Sequence, residues 1–265
     1  MKIFFFFFFF YTTNVASCFR ADPLLDTYRF TATTSHQMRI DPSHNHIHGK
    51  EVLFWAHDIL SRLSYRLHRN DLDMIAHMSL LHDLLDKKYD HTPYHIEEEM
   101  TQHLLGTTLF SPSQIDMMIR IMKCSSYTWT VLHGYPTWLM DQPIHLQEVY
   151  HIFREADLLA SYNLARMIEY RWRRCPWMTN EEVREESLQF YESRIGTQIQ
   201  KKLFVHEEAE DRAKQLDALC RLRLSLLHYI PLDKDHMDIL RVIHHLDIYR
   251  LAASFRSLPT IEDED

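Results

Sequence analysis

The sequence predicts an all-α fold arranged as a single helical domain. Only 4 of its 265 residues are glycine, whereas 12 are methionine and leucine is frequent. This composition disfavours sheets with tight turns and favours helices joined by short polar loops. Apolar residues also recur at helical spacing in most segments. A chain of this length can bury one sizeable core, so no second domain is required.

The first 37 residues are predicted to lie outside that domain. Met1 and Lys2 precede an apolar run that contains Phe4 to Phe10, a pattern typical of a secretory signal, and Val15 to Cys18 resembles a lipoprotein cleavage site. The alternative is a dispensable extension, so that a chain begun at Met38 would fold. The run is too short for an ordinary membrane span. We expect a cytoplasmic protein, with export or lipid anchoring as the alternative if the run is a signal.

The helical domain is predicted to span residues 38–230. A turn-like segment from Asp41 to Gly49 precedes a helix, and the next helix is predicted to be capped by Asn70 and Asp71 and to end at His82 and Asp83. Further helices are predicted at 91–106, 111–123, 144–172, 179–203 and 206–227; those at 111 and 179 open with capping boxes. The aromatic segment 124–143 is predicted to be a lid or pocket wall. Residues 231–265 are predicted to hold a final helix and an acidic tail.

Charge and cysteine content exclude several classes of protein. The formal net charge of −8 argues against an extended nucleic-acid surface, because such binding depends on many Lys and Arg side chains. The 4 cysteines show no paired spacing, so neither a zinc knuckle nor a disulfide framework is indicated. A small phosphorylated ligand remains compatible with this charge, since it needs only a local cationic pocket or a metal ion.

The pair His82 and Asp83 is the most informative motif, because it ends an apolar helix in two adjacent metal-ligand side chains. His48 precedes this pair and Asp157 follows it, which gives the order His, His-Asp, Asp. That order resembles the HD-domain superfamily of metal-dependent phosphohydrolases, from about Asp41 to about Arg166. The resemblance implies an HD-type fold in which His48, His82, Asp83 and Asp157 bind a divalent metal ion. Mixed nitrogen and oxygen ligands suit Mn, Fe, Co, Ni or Zn, with Mg possible.

The flanking residues extend the resemblance to the small uncharacterised bacterial HD hydrolases. Those proteins often show Asp-x-Ser-His, then His-x-x-Arg-Val, and later Asp-x-Lys before an aromatic residue; the matching positions here are Asp41, Ser43, His44, His48, Val52, Asp86, Lys88 and Tyr89. Glu51 stands where Arg is usual. The resemblance implies catalytic roles for Asp83, Asp86, Lys88 and His44, of which His44 would be a general acid or a support for a ligand. Lys88 and Arg166 would contact the substrate phosphate.

These residues imply a metal-dependent phosphohydrolase that acts on a nucleotide or another small phosphate ester through a metal-activated water. The alternative is a catalytically inactive HD-fold module that binds or senses nucleotides, which the departures at Glu51 and at Glu155 to Ala160 favour. Asp157 could instead pair with Arg154. Five further histidines are interpreted as structural: His77, His103, His151, His244 and His245. The substrate, the number of metal ions and the oligomeric state stay open.

Overall fold

Helices α2 (His46–Leu60), α3 (Arg69–Leu81) and α7 (Ile144–Ala160) form the centre of the molecule and make its most extensive helix–helix contacts with one another. The computed structural model describes residues 22–41, 43–86, 95–229 and 246–261. The other α-helices are α1 (Pro23–Gln37), α4 (Ile96–Gly106), α5 (Pro112–Cys124), α6 (Tyr127–His133), α8 (Leu164–Arg174), α9 (Asn180–Phe190), α10 (Glu207–Leu226) and α11 (Ile248–Arg256). No strand forms in these described residues, and the prediction of an all-α fold is confirmed.

Short turns of tighter or wider helix connect some of these elements. Three are 3₁₀ turns, at His82–Leu85, Thr137–Asp141 and Leu227–Tyr229, and one is a π turn at Tyr191–Ile195. The buried apolar residues of the described part, Cys124 excepted, belong to one cluster, as a single domain requires. None of the described helices has the length and apolar character needed to cross a membrane.

Helices α2 and α3 approach each other very closely at Gly49. A Cβ atom at residue 49 would lie 3.1 Å from both the Cα and the carbonyl oxygen of Leu80. Real Cβ atoms rarely approach backbone atoms this closely, so glycine permits the contact. The contact matters for function because Gly49 directly follows His48 and Leu80 comes two residues before His82.

Two predicted helix starts are confirmed by their capping bonds. Ser111 Oγ accepts from the Gln114 backbone N–H, and Thr179 Oγ1 accepts from the Glu182 backbone N–H; the reciprocal bonds of both capping boxes are also present. The predicted cap of α3 is wrong. That helix begins at Arg69, and the Asp71 carboxylate is buried and bonded to His145 Nδ1 at 2.9 Å instead. A contact with a distant residue has therefore replaced the local cap.

The predicted helix 144–172 is two helices, α7 and α8, separated by a turn at residues 161–163. Asn163 forms the N-cap of α8 by accepting a hydrogen bond from the Arg166 backbone N–H at 3.3 Å. Apolar residues lie at helical spacing on both sides of the turn, so periodicity alone suggested one helix. The segment 124–143 is likewise more regular than predicted, because it contains α6 and a 3₁₀ turn. The helix predicted at 179–203 ends at Phe190.

Helix α1 packs on the core, although its residues were predicted to belong to an extension outside the domain. Its main neighbour is α3, and its Thr27 Oγ1 lies 2.9 Å from His77 Nδ1 and 2.8 Å from His103 Nε2. Burial lowers the pKa of His77 to about 3, so this imidazole is neutral. His77 and His103 thus have structural partners. Residues 1–21, His244 and His245 lie outside the described residues.

Candidate metal centre

The two residues of the His-Asp pair lie where α3 gives way to a 3₁₀ turn that begins at His82. His82 Nδ1 is 3.1 Å from the carbonyl oxygen of Ser79. Because a carbonyl only accepts, Nδ1 carries the proton in this bond, and the neutral ring then has its lone pair on Nε2. The helix end therefore orients one imidazole nitrogen as an available ligand.

All four predicted metal ligands come together from three separate segments. His48 lies in the first turn of α2 and Asp157 in the last turn of α7. Their Nε2 and Oδ1 atoms are 3.1 Å apart, and His48 Nε2 is 3.7 Å from Asp83 Oδ2. His82 Nε2 is 3.5 Å from Asp83 Oδ1 and 3.6 Å from Asp157 Oδ1. Atoms that share one cation at about 2.1 Å lie roughly 3 to 3.5 Å apart, and these separations are close to that range. His48, His82 and Asp83 each offer one ligand atom within 4.8 Å of the others, and Asp157 lies beside both imidazoles.

Several buried atoms of this group have no hydrogen-bond partner. They include His82 Nε2 and Asp83 Oδ2. A buried polar atom without a partner is unfavourable, and native proteins rarely leave one without a reason. A divalent cation would bond to both atoms. The donor set of imidazole and carboxylate therefore fits Mn, Fe, Co, Ni or Zn.

The electrostatic character of the group also favours a cation. Burial alone would lower the pKa of His82, but the carboxylates of Asp83 and Asp157 raise it to about 9. Burial would raise the pKa of Asp157, yet the hydrogen bond with His48 and the nearby imidazole of His82 hold it well below its usual value. In the absence of a metal the site thus stabilises a bound proton. A divalent ion would supply the same positive charge.

Glu51 supports the group and was not recognised as functional from the sequence. Its buried carboxylate lies 3.8 Å from His48 Nδ1, accepts a hydrogen bond from Asn163 Nδ2 at 2.5 Å and is 3.5 Å from Arg166 Nε. Burial raises the pKa of Glu51, but these partners lower it overall. A carboxylate beside the far nitrogen of a ligating histidine favours one ring orientation, and at 3.8 Å Glu51 acts on His48 through charge rather than through a hydrogen bond. The i, i+3 spacing of His48 and Glu51 on α2 is the signal that could have revealed this role.

Arg166 lines the same cavity, but two of its nitrogens hydrogen-bond to backbone carbonyls and the third faces a carboxylate. Nη1 donates to the Ser43 carbonyl at 2.6 Å, Nη2 donates to the Ala160 carbonyl at 2.8 Å, and Nε faces Glu51. These bonds tie the segment before α2 to the end of α7, which holds His48 near Asp157. The contact of Arg166 with a substrate phosphate stays a prediction.

A second group of possible ligands adjoins the first and consists of His44, Asp83 and Asp86. One ligand atom from each lies within 4.8 Å of the others. His44 Nδ1 is 2.5 Å from Ser43 Oγ, which fixes this ring. All three side chains line the cavity. Lys88, the other residue predicted to act in catalysis, lies outside the described residues.

The four predicted ligands line a cavity of about 630 Å³. That volume suits a small molecule. Tyr127 and Trp129 contribute to its lining, so part of the aromatic segment 124–143 is a pocket wall. Among the described residues, four cationic side chains also line the cavity: Lys123, Arg166, Arg171 and Arg194.

Comparisons with known proteins identify no relative: no protein-family model matches the chain, and no match was found among curated proteins or solved structures. The function of this protein must therefore be inferred from its side chains and its cavity.

Proposed function

We propose that this protein is an HD-type, metal-dependent phosphohydrolase that acts on a nucleotide or another small phosphate ester. The observation that carries the proposal is the convergence of two imidazoles and two carboxylates on one cavity, with His82 Nε2 buried and without a partner. The order His48, His82-Asp83, Asp157 along the chain supports the same family.

A bound divalent cation would neutralise phosphoryl oxygens and lower the pKa of a coordinated water. His48, His82, Asp83 and Asp157 would hold it. Asp86 lines the cavity beside Asp83 and would accept the proton of the attacking water. His44, whose ring is held through Ser43 Oγ, would donate a proton to the leaving oxygen. Glu51 would keep the His48 ring in its ligating orientation.

The cavity also favours a small phosphorylated partner over an extended nucleic acid. The chain carries 37 acidic residues against 29 lysines and arginines, so its overall charge repels polyanions. The cationic side chains of the cavity form a local exception to this negative charge. A small anion could therefore bind inside while long nucleic acids are disfavoured.

A second candidate function is a catalytically inactive module that binds or senses nucleotides. The specific observation in its favour is that Ser43, Ala160 and Glu51 already engage the Arg166 guanidinium, which leaves it fewer donors for the predicted phosphate contact. Such a module would keep its metal and its cavity, so metal content does not separate the two functions. Turnover does.

The deciding experiment is a screen of phosphorylated metabolites against the purified full chain loaded with each of Mn, Co, Ni, Zn and Mg. We expect release of phosphate or pyrophosphate from at least one compound, and its loss in Asp157→Ala. Asp211→Ala is the matched control, since Asp211 is an exposed residue on α10 outside the cavity. Tight nucleotide binding without release of either product in any metal form would replace the hydrolase with the binding module.

A further inference from the structure

One wall of the cavity alternates cationic side chains with aromatic rings. We call it the arginine–aromatic wall and define it as Arg171, Phe190, Arg194 and Tyr127, all of which line the cavity. The guanidinium carbon of Arg194 lies 4.5 Å from the centre of the Tyr127 ring and 5.5 Å from that of Phe190. That of Arg171 lies 5.0 Å from the Phe190 ring. Neither ring belongs to the metal-ligand group.

Arg194 differs from the other cations of the cavity in its partners. Lys123 pairs with Glu97 at 2.5 Å, Arg171 with Glu186 at 3.4 Å, and Arg166 with Glu51. Within the part of the chain that the structure describes, no carboxylate lies in ion-pair range of Arg194. Its nearest hydrogen-bond acceptor there is Thr128 Oγ1, at 3.4 Å. Among the described cations that line the cavity, Arg194 is therefore the one whose positive charge is left for a ligand.

The aromatic rings orient this guanidinium without consuming its donors. In a cation–π contact the ring quadrupole attracts the positively charged guanidinium. The five N–H donors point outward in the plane of the guanidinium and take no part in that attraction. With Tyr127 and Phe190 beside Arg194 and only one weak acceptor at Thr128, most of these donors are available. A planar fork of this kind matches phosphate in a bidentate arrangement.

The backbone that carries Arg194 is itself unusual. It belongs to the π turn Tyr191–Ile195, which is closed by the Gly196 N–H donating to the Tyr191 carbonyl at 2.8 Å. Such turns are rare and are frequent at functional sites, because the wider turn displaces the following side chains around the helix. Arg194 and Ile195 both line the cavity. The π turn is thus a second, independent feature of this wall that is typical of functional sites.

We propose that Arg194, held by Tyr127 and Phe190, binds a second phosphate group of the substrate. This inference rests on the proposed function, which assigns the scissile phosphate to the metal ligands. Within the described residues Arg194 forms no hydrogen bond or ion pair with those ligands, and a cavity of about 630 Å³ suits a whole small molecule rather than one phosphate group. The substrate class is therefore a small ester that carries two separate phosphate groups.

Binding of two matched probes tests this subsite. Adenosine 3′,5′-bisphosphate and adenosine 5′-monophosphate are titrated into the Mn-loaded full chain by calorimetry. We expect the bisphosphate to bind at least tenfold tighter. Arg194→Gln should weaken bisphosphate binding about 10- to 100-fold, the scale of a charge-assisted hydrogen bond, and monophosphate binding less than threefold. Arg194→Lys should fall between, because it keeps the charge and loses the planar fork.

The control is Arg250→Gln, the same change at an exposed arginine of α11 that does not line the cavity. It should bind both probes as the wild-type protein does. A wild-type protein without preference for the bisphosphate, or an Arg194→Gln protein that keeps the preference or weakens both probes equally, overturns the proposal. Phosphorus NMR of the same samples reports turnover separately. Failure of hydrolysis therefore cannot be confused with failure of the subsite.

Discussion

The metal-ligand group and the residues around His206 contain the same kinds of side chain, and α7 contributes carboxylates to both, yet their bonding differs. His206 Nδ1 lies 2.8 Å from Glu155 and its Nε2 lies 2.8 Å from Glu148. Burial lowers the pKa of His206, but these two carboxylates raise it to about 9, the value that the pKa of His82 also reaches. At His206 both nitrogens are hydrogen-bonded, whereas the described residues offer His82 Nε2 no hydrogen bond, only carboxylate oxygens at 3.5 and 3.6 Å.

This difference separates a structural ion cluster from a candidate site. A protonated His206 donates to two carboxylates, so nothing further is needed there, and none of the three side chains lines the cavity. The cluster joins the start of α10 to α7. His82 and Asp83 instead present unpartnered atoms beside a cavity that can admit a ligand. The two clusters contain similar residue types. They differ in whether their buried polar atoms have hydrogen-bond partners and in whether a ligand can reach them.

The largest expected effect comes from removing one metal ligand. Asp83→Ala should abolish both bound transition metal and activity, because Asp83 lies near both histidine Nε2 atoms. Elemental analysis after gel filtration measures the metal. Glu148→Gln is the matched change in the other cluster and should leave the metal content unchanged. Undiminished metal in Asp83→Ala would remove Asp83 from the ligand set.

A chain begun at Met38 tests whether the fold needs α1 and the contact of its Thr27 with the buried His77. The truncation removes α1, exposes core residues and deprives buried His77 of its bond to Thr27. We expect a loss of several kcal/mol, seen as insoluble protein or a much lower melting temperature. A chain begun at Ala21 keeps these contacts and should fold. Equal stability of the two chains would show that α1 is dispensable, as the sequence suggested.

The close approach of α2 and α3 can be tested with a matched pair of glycine substitutions. Gly49→Ala places a Cβ 3.1 Å from the backbone of Leu80, which should separate His48 from His82 and cost about 1 to 3 kcal/mol in the free energy of unfolding. Metal affinity should fall as well. Gly106→Ala meets nothing within 4 Å, so it should be neutral or slightly stabilising. Denaturant unfolding and metal titration of both variants measure the contrast.

The last effect, which appears only at alkaline pH, is a pH dependence that arises from the His206 cluster. Because its folded pKa of about 9 exceeds the unfolded value of 6.5, His206 stabilises the fold fully below pH 6.5. This contribution, on the order of 3 kcal/mol, is lost as the pH rises through 9. The charged or titratable groups that act on His206 are Glu148, Glu155, Tyr65 and His151, with Arg154 nearby.

Urea unfolding of wild-type protein and His206→Gln between pH 6 and 10 measures this dependence. His82 shifts stability in the same direction in metal-free protein, so only the difference between the two proteins reports the His206 cluster. That difference should shrink toward pH 10. A constant difference across the range would mean that His206 is not protonated in the folded state.

Local signals in the sequence determined the all-α class and several helix starts. The capping boxes at Ser111 and Thr179 form as predicted because each depends on bonds between residues three positions apart. The types of ligand residue at His48, His82, Asp83 and Asp157 could also be read directly, since imidazole and carboxylate side chains carry their chemistry wherever they lie.

Only the tertiary structure decided which of these residues meet and which neighbours support them. The turn after α7 is fixed by Asn163, whose side chain bonds Glu51 from 112 positions along the chain. Arg194 lies in a π turn beside the cavity and contacts two aromatic rings. Neither the π turn nor these ring contacts have a short-range sequence signature. The physical reason is that caps depend on neighbouring backbone groups, whereas a site depends on packing that brings distant segments within a few ångströms.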